Sequence, residues 1–183
     1  MRRLKGLFAI AVLALAVASG TSARAASTDT ADTLFAQAKS LAQQQHKHVL
    51  LVFSASWCGP CKLYEKFLED PAMKPLTDKA FVIVRIDVGE RPGDSKHADT
   101  PGGVALRSAL GAQPEPGYPF IIMTDEAGKP IVNSNRNGDI KGNTGYPQSP
   151  EEIDWYIEML RRAAPGLSAE ELAATRTWLK KHA

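Results

Sequence analysis

The sequence predicts an α/β fold in which helices cover both faces of a mixed central sheet. A short, continuous apolar run at residues 49–53 has the length and composition of a central strand buried on both faces, and a second buried strand is predicted at 81–88. Segments with helical spacing lie before and between these runs, and two further apolar runs, at 120–124 and 130–132, form a hairpin pattern. Early alternation of helix and strand followed by a late hairpin is typical of such a sheet.

The first half of the chain alternates helical and strand patterns. Apolar residues such as Leu34, Phe35, Ala38 and Leu41 recur at helical spacing, which indicates a first helix. The elements predicted here are, in order, a helix at 30–45, a strand at 49–53, a loop at 54–57, a helix at 58–69, a short helix at 72–78 and a strand at 81–88.

The second half opens with a polar, Gly- and Pro-rich stretch that we interpret as an inserted surface loop. Two Ser-x-x-Glu capping boxes, beginning at Ser149 and Ser168, predict two helices at the end of the chain, the last of them an addition to the main fold. The elements predicted here are, in order, the loop at 89–103, a helix at 104–110, a strand at 120–124, a turn at 125–129, a strand at 130–132, an Asn/Gly-rich connection at 133–148 and helices at 149–164 and 168–181.

Residues 1–25 have the pattern of a removable export signal. A basic start is followed by an apolar run over 7–18, and Ala23-Arg24-Ala25 supplies small residues at a cleavage site. We therefore expect a periplasmic or otherwise exported protein whose single domain spans residues 26–183. Cleavage would change the net charge from +2 to −2, so the basic balance of the full chain gives no support to nucleic-acid binding.

The chain has only two cysteines, Cys58 and Cys61. Disulfides persist outside the cytoplasm, but a bridge across so short a loop would add little stability compared with one that closes a long loop. We infer that the pair serves reactivity. The first cysteine of such a motif lies at a helix N-terminus, where unpaired N–H groups and the macrodipole favour a thiolate. The sequence thus assigns attack to Cys58 and resolution to Cys61, which we expect to be the more buried of the two.

Trp57-Cys58-Gly59-Pro60-Cys61 resembles the active-site motif of thioredoxins. The resemblance implies a thioredoxin fold for this chain. It also implies that Pro119 is the cis-proline whose backbone neighbours the cysteines and pairs with an extended substrate. Pro147 also occurs in a Gly-Tyr-Pro triplet, but only Pro119 directly precedes an apolar strand. Residues 47–76 are more similar to periplasmic thioredoxin-like disulfide reductases. Trp57 and Tyr118 are interpreted as substrate-facing, with core packing as the alternative for each.

Two departures from thioredoxins concern charge. The position of their buried Asp, six residues before the first cysteine, is Val52 here, and their partner lysine aligns with Ile83. Glu65 lies one helical turn after Cys61, and the reductases that this chain resembles also place a carboxylate there. We hypothesise that Glu65 modulates the ionisation of Cys61; a solvated helix charge is the alternative.

The function predicted is that of an exported thiol–disulfide oxidoreductase, with the reducing direction favoured because Gly59-Pro60 resembles the dipeptide of reductants. No metal or organic cofactor is expected, and the partners expected are a protein or peptide disulfide and a redox partner that the sequence does not identify. A periplasmic copper or zinc carrier that uses the same thiolates, a disulfide oxidase or isomerase, and a non-catalytic binding module remain alternatives. For a zinc site, His46, His48, His97 and His182 are the histidines available.

Overall fold

A computed structural model describes residues 29–139 and 142–183 of the chain. The predicted export signal and its cleavage site lie outside the described residues. The order of helices and strands agrees with the sequence prediction. The elements are α1 (Ala31–Gln45), β1 (His48–Ser54), α2 (Gly59–Glu69), α3 (Lys74–Ala80), β2 (Phe81–Asp87), α4 (Gly103–Ala109), β3 (Phe120–Thr124), β4 (Pro130–Asn133), α5 (Pro150–Ala163) and α6 (Ala169–His182).

The four strands form one mixed sheet in the order β2-β1-β3-β4. β1 pairs with β2 in parallel and with β3 antiparallel, and β3 pairs antiparallel with β4. β1 is central and its five inner residues are buried, which explains why its sequence is a continuous apolar run. The prediction of a second buried strand at 81–88 is wrong, because β2 is an edge strand whose Arg85 and Asp87 are exposed. The predicted thioredoxin fold, with a mixed sheet between helices, is confirmed.

Alternate residues of the strands supply two apolar cores, one on each face of the sheet. Leu51 and Phe53 point to the face covered by α1 and α4. Leu50 and Val52 point to the face covered by α2, α3, α5 and α6. Helices therefore cover both faces, as predicted, and the last helix belongs to the second core through the fully buried Leu179.

Both predicted capping boxes are present. Ser149 accepts a hydrogen bond from the backbone N–H of Glu152, and Ser168 accepts one from Glu171, while each glutamate reaches back to its serine. The short helix after α2 begins at Lys74, two residues later than predicted. The reason is a local turn in which the Asp70 carboxylate accepts a hydrogen bond from the N–H of Ala72 at 2.9 Å, before the helical pattern begins.

No helix among residues 29–139 and 142–183 is long and apolar enough to cross a lipid bilayer.

Candidate active site

The two cysteines lie at the junction between β1 and α2. Cys58 is the N-cap of α2, with extended backbone angles, and its sulfur accepts a hydrogen bond from the backbone N–H of Cys61 at 3.1 Å. Pro60 lies in the first turn, where its missing N–H would have had no partner within the helix. The helix N-terminus thus directs a donor at the Cys58 sulfur, which is the arrangement that stabilises a thiolate.

Cys58 and Cys61 are joined by a disulfide, with 5.3 Å between their Cα atoms. Each sulfur faces a different space. Cys58 lines an open groove of about 510 Å³, here named the front groove, and Cys61 lines a cleft of about 210 Å³ on the other side of the pair, here named the rear cleft. The front groove is lined by Trp57, Cys58, Gly59, Pro60, Glu115, Gly117 and Tyr118.

The prediction that Cys61 is the more buried cysteine is wrong for this disulfide form. Cys58 is 3% exposed and Cys61 is 8% exposed. The N-cap sulfur turns back onto the first turn of the helix and packs with Ala55 and Tyr118, whereas Cys61 borders the rear cleft. The front groove still places Cys58 beside the exposed motif residues Trp57, Gly59 and Pro60, as the attacking role requires.

The peptide bond between Tyr118 and Pro119 is cis, as the resemblance implied. Phe120 pairs with Phe53 in the β1–β3 ladder, so Pro119 lies beside the loop that carries the cysteines. Asn143, in the connection before α5, donates a hydrogen bond to the Pro119 carbonyl oxygen at 3.2 Å. This part of the connection is therefore packed against the site, and Thr144 is buried there.

Tyr118 and Trp57 form one wall of the front groove. Their rings meet edge to face with centroids 6.1 Å apart, and Tyr118 also packs against the cysteine pair. The guanidinium of Arg107, a buried side chain of α4, lies 5.9 Å from the centre of the Tyr118 ring. Trp57 is 44% exposed, which makes it a large apolar surface beside Cys58. Both aromatic side chains thus lie beside Cys58 in the front groove, and their contact with a substrate stays a prediction.

The inserted loop after β2 is mostly exposed, but its first residues bind the active-site loop. The Glu90 carboxylate accepts hydrogen bonds from the backbone N–H of Ser56 at 2.6 Å and from its hydroxyl at 2.7 Å. The indole N–H of Trp57 donates to the Gly89 carbonyl oxygen at 3.0 Å, and the Arg91 guanidinium lies 5.5 Å from the centre of the Trp57 ring. These contacts hold Trp57 in place at the rim of the front groove.

We expect Gly89→Ala to destabilise the protein and to slow disulfide exchange. Gly89 has φ of +80°, and a Cβ there would clash with the Tyr118 hydroxyl oxygen, so the Tyr118 ring must shift from its position beside the cysteine pair. The left-handed backbone alone costs alanine about 1–2 kcal/mol. Urea unfolding and the rate of insulin reduction measure the two effects.

Gly93→Ala is the matched control for this prediction. Gly93 belongs to the same loop and has φ of +82°, but a Cβ there would meet no atom within 4 Å. In this variant the left-handed backbone should lower the free energy of unfolding, and the rate of insulin reduction should stay unchanged. Equal rates for the two variants would contradict a role for the Tyr118 position in catalysis.

The rear cleft carries the charges nearest to Cys61. Val52, at the position of the buried Asp of thioredoxins, pairs in register with Arg85 on β2. The Arg85 guanidinium donates to Glu69 at 2.7 Å and lies 3.8 Å from the Glu65 carboxylate. Glu65 and Cys61 both line the cleft, as their spacing on one helix face predicted. Arg85 therefore lines the cleft as a cation that is paired with both glutamates.

Tyr64, which lines the rear cleft, belongs to a buried pair of tyrosines. The hydroxyl groups of Tyr64 and Tyr156 are 2.9 Å apart and form a hydrogen bond. Burial raises the pKa of the Tyr64 hydroxyl well above its usual value, and the neighbouring Tyr156 raises it further. Both phenols therefore stay protonated and uncharged at neutral pH, so the charges that line the rear cleft are those of Lys62, Glu65, Arg85 and Asp87.

We expect Glu65→Gln to shift the pH dependence of disulfide exchange by less than about one pH unit, because exposed and paired charges interact weakly. Glu65 is 59% exposed and its partner is Arg85. Loss of the carboxylate should favour the thiolate of Cys61 and move the profile to lower pH. Stopped-flow rates across the pH range measure the shift.

Glu69→Gln is the control, since it removes the other carboxylate bound to Arg85, one turn further along α2. It should leave the profile of disulfide exchange unchanged. If Glu65→Gln also leaves the profile unchanged, its proposed effect on Cys61 is wrong.

His48 lies at the start of β1, the end of the strand opposite to the cysteines. Its Nδ1 is 2.7 Å from the Ala163 carbonyl oxygen.

Glu90, Asp94 and His97 hold possible metal-ligand atoms within 4.8 Å of one another. The carboxylates of Glu90 and Asp94 already accept hydrogen bonds, from Ser56 and from the loop itself.

Several residues of the site were not identified from the sequence, among them Arg85, Glu90, Arg91 and Glu115. Arg85 had a local signal, since it is a single charge within the apolar run at 81–86. Glu115 stands between two prolines shortly before the cis bond. Glu90 and Arg91 had no local signal in the sequence, because their contacts join segments more than 30 residues apart and no local pattern encodes such contacts.

A bonded Cys-x-x-Cys pair at the start of a helix, beside a cis-proline that directly precedes the neighbouring strand, defines the class of thioredoxin-fold thiol–disulfide oxidoreductases. The sequence matches the family described as Thioredoxin-like over residues 30–125, which is more than half of the chain. The chain belongs to this Thioredoxin-like family. The sequence prediction of fold and enzyme class is thereby confirmed.

Individual relatives are similar to this chain over shorter stretches. The thiol:disulfide interchange protein DsbD of Vibrio vulnificus (strain CMCP6) is 34% identical over 103 residues, which are 56% of this chain and 15% of that protein. Thioredoxin H2-1 of Oryza sativa subsp. japonica is 49% identical over 41 residues, 22% of this chain and 29% of that protein. The chain thus spans less than a third of either relative's length.

Among solved structures, the chain is similar to a disulphide isomerase from Xylella fastidiosa Temecula1. The two share 23% sequence identity with a TM-score of 0.49, and the alignment covers 93% of this chain and 98% of the other.

Proposed function

We propose that this chain is an exported enzyme that reduces disulfides in proteins or peptides. The observation that carries the proposal is the Cys58 sulfur at the N-terminus of α2, where it accepts the Cys61 N–H and opens onto the front groove. The name of the Vibrio relative, thiol:disulfide interchange protein, supports the same chemistry. The pattern of residues 1–25 supports export.

The reaction proceeds in two exchanges. The Cys58 thiolate attacks one sulfur of the substrate disulfide, so that a mixed disulfide forms and the other substrate sulfur leaves as a thiolate that takes a proton. The Cys61 thiolate then attacks the Cys58 sulfur. The Cys58–Cys61 disulfide forms, the second substrate thiolate leaves, and two electrons have passed from the enzyme to the substrate. A separate thiol donor must then reduce the enzyme again.

The substrate is proposed to bind as an extended segment beside the cis-proline. The Pro119 carbonyl oxygen already accepts a hydrogen bond from Asn143, so the backbone on the Tyr118 side is the edge proposed to pair with the substrate. The exposed ring of Trp57 supplies apolar contact on the other side of Cys58. No step needs a metal or an organic cofactor.

The direction of the reaction is tested by equilibrating the cysteine pair with glutathione buffers. Gly59 and Pro60 between the cysteines favour a reductase, so we expect a reduction potential near that of thioredoxin, about −270 mV. A value near about −120 mV would assign the enzyme to disulfide oxidation instead. Insulin reduction tests the activity itself. In the reduced enzyme, the rate of Cys58 alkylation should reach half its maximum at a pH below about 8.5, the ordinary pKa of a thiol.

Export is tested by expressing the full chain in a bacterial host and sequencing the N-terminus of the protein that is recovered. A chain that begins at Ala26 in the periplasmic fraction supports the proposal. An unprocessed chain in the cytoplasmic fraction contradicts it.

A further inference from the structure

Two grooves flank the cis-proline, and the substrate segment must cross them to reach Cys58. The first is the front groove. The second, here named the side groove, has a volume of about 290 Å³ and includes Asn143, Thr144 and Glu152 in its lining. Pro60, Gly117 and Tyr118 line both grooves, so the two grooves adjoin each other beside Cys58.

The charged side chains that line these grooves are both acidic. Glu115 lines the front groove and Glu152 lines the side groove, while no lysine, arginine or histidine among the described residues lines either one. Arg91 contacts the Trp57 ring but does not line the grooves, and Lys62 lines the rear cleft. A substrate segment that lies in these grooves therefore meets negative charge close to its reacting disulfide.

The two glutamates differ in whether their carboxylates already accept hydrogen bonds within the protein. The Glu152 carboxylate accepts hydrogen bonds from the backbone N–H groups of Gln148 and Ser149, both at 2.9 Å, as part of a helix cap. The Glu115 carboxylate has no hydrogen bond or ion pair with any other residue in the part of the chain that the structure describes. It is thus the carboxylate of the two that is free to bind a cation.

The backbone of Glu115 is held in an uncommon conformation. Its φ is +50°, in the left-handed region that non-glycine residues rarely adopt. Pro114 and Pro116 flank it and have fixed φ angles, and Pro116 is buried. Such strain persists only where the surroundings impose it, and it is concentrated at ligand-binding segments. The segment thus presents the Glu115 side chain at the exposed rim of the front groove.

We propose that the front groove selects disulfide substrates that carry a lysine or arginine beside the attacked cysteine, with Glu115 as the residue that determines this preference. The inference rests on the proposed function and names its substrate class. The occupant is an extended polypeptide segment with a basic side chain next to its disulfide. The Glu115 carboxylate attracts that side chain, and it repels an acidic one at the same position.

Two synthetic disulfide-bonded peptides test the proposal. They are identical except for lysine or glutamate on both sides of the reacting cysteine, and single-turnover rates are measured with the reduced enzyme. We expect the lysine peptide to react about threefold to tenfold faster, because the ion pair is exposed and the attraction in one peptide adds to the repulsion in the other. Raised salt should reduce the difference.

Substitutions assign the preference to Glu115. Glu115→Gln should reduce the preference, and Glu115→Lys should reverse it. Glu126→Gln removes the same charge at the opposite end of the sheet, where Glu126 faces His48, and should retain the preference of the wild type. Equal rates for the two peptides, or a preference that Glu115→Lys leaves unchanged, would overturn the inference while insulin reduction still supported the proposed function.

Binding of unreactive peptides separates this inference from the proposed function. Serine analogues of the two peptides are titrated into the oxidised protein by calorimetry. If neither disulfide peptide nor insulin is reduced, the proposed function fails, and the binding data alone decide the preference. Tighter binding of the lysine analogue, lost in Glu115→Gln, supports the inference, and equal binding of both analogues overturns it.

Discussion

Cys58→Ser should abolish disulfide exchange, leaving only the background rate of the reducing buffer. A serine hydroxyl is not ionised at neutral pH and forms no disulfide, so the N–H groups at the start of α2 have no nucleophile to activate. Insulin turbidity or a fluorescent disulfide substrate measures the rate. Far-UV circular dichroism should show an intact fold, because the substitution exchanges one small N-cap side chain for another.

Cys61→Ser provides the matched control, since it also removes one sulfur. The Cys58 thiolate remains, so this variant should still attack a disulfide once but should accumulate the mixed disulfide with its substrate. Mass spectrometry of the unreduced complex detects it. A trapped complex with Cys58→Ser, and none with Cys61→Ser, would reverse the roles assigned to the two cysteines.

Phe67→Ala should cost about 3–5 kcal/mol of unfolding free energy, the range for truncating a buried phenylalanine. Phe67 is 1% exposed and its ring centre lies 5.7 Å from that of Tyr64, 5.7 Å from that of Tyr156 and 5.3 Å from that of Trp178. It therefore joins the active-site helix α2 to both C-terminal helices. Since small domains are stable by only about 5–15 kcal/mol, the variant should unfold at much lower urea concentration.

Lys66→Ala is the control for this stability prediction, because Lys66 is the exposed neighbour of Phe67 on α2. Its effect should lie within about 0.5 kcal/mol. A loss below about 1 kcal/mol for Phe67→Ala would mean that the three helices do not share one packed core around this ring.

The fold could be predicted from the sequence because its strongest signals are local. β1 and β3 are buried on both faces, so they appear as unbroken apolar runs. The capping boxes at Ser149 and Ser168 satisfy the first N–H groups of their own helices, and such short-range chemistry can be identified without tertiary information. The start of α3 was misplaced because Asp70 competes for the backbone at Ala72.

The cysteine pair and the cis-proline could also be predicted from the sequence, the pair from its motif and the proline from the resemblance to thioredoxins. The charges around them were not. Glu90 reaches Ser56 across 34 positions, and Arg85 reaches Glu69 across 16, so each contact depends on strand register and loop path. The relative burial of Cys58 and Cys61 was wrong because position along a helix does not specify which sulfur the neighbouring loop covers.

The exposure of Trp57 gives the protein a built-in optical reporter. Trp155 and Trp178, the other tryptophans, belong to the core that α5 and α6 form, whereas Trp57 is next to Cys58 and faces solvent. Because Trp57 and Cys58 line the same groove, opening of the Cys58–Cys61 bond should change the emission of Trp57 while the emission of the two core indoles stays constant. Electron flow through the enzyme can thus be followed in real time without an attached dye.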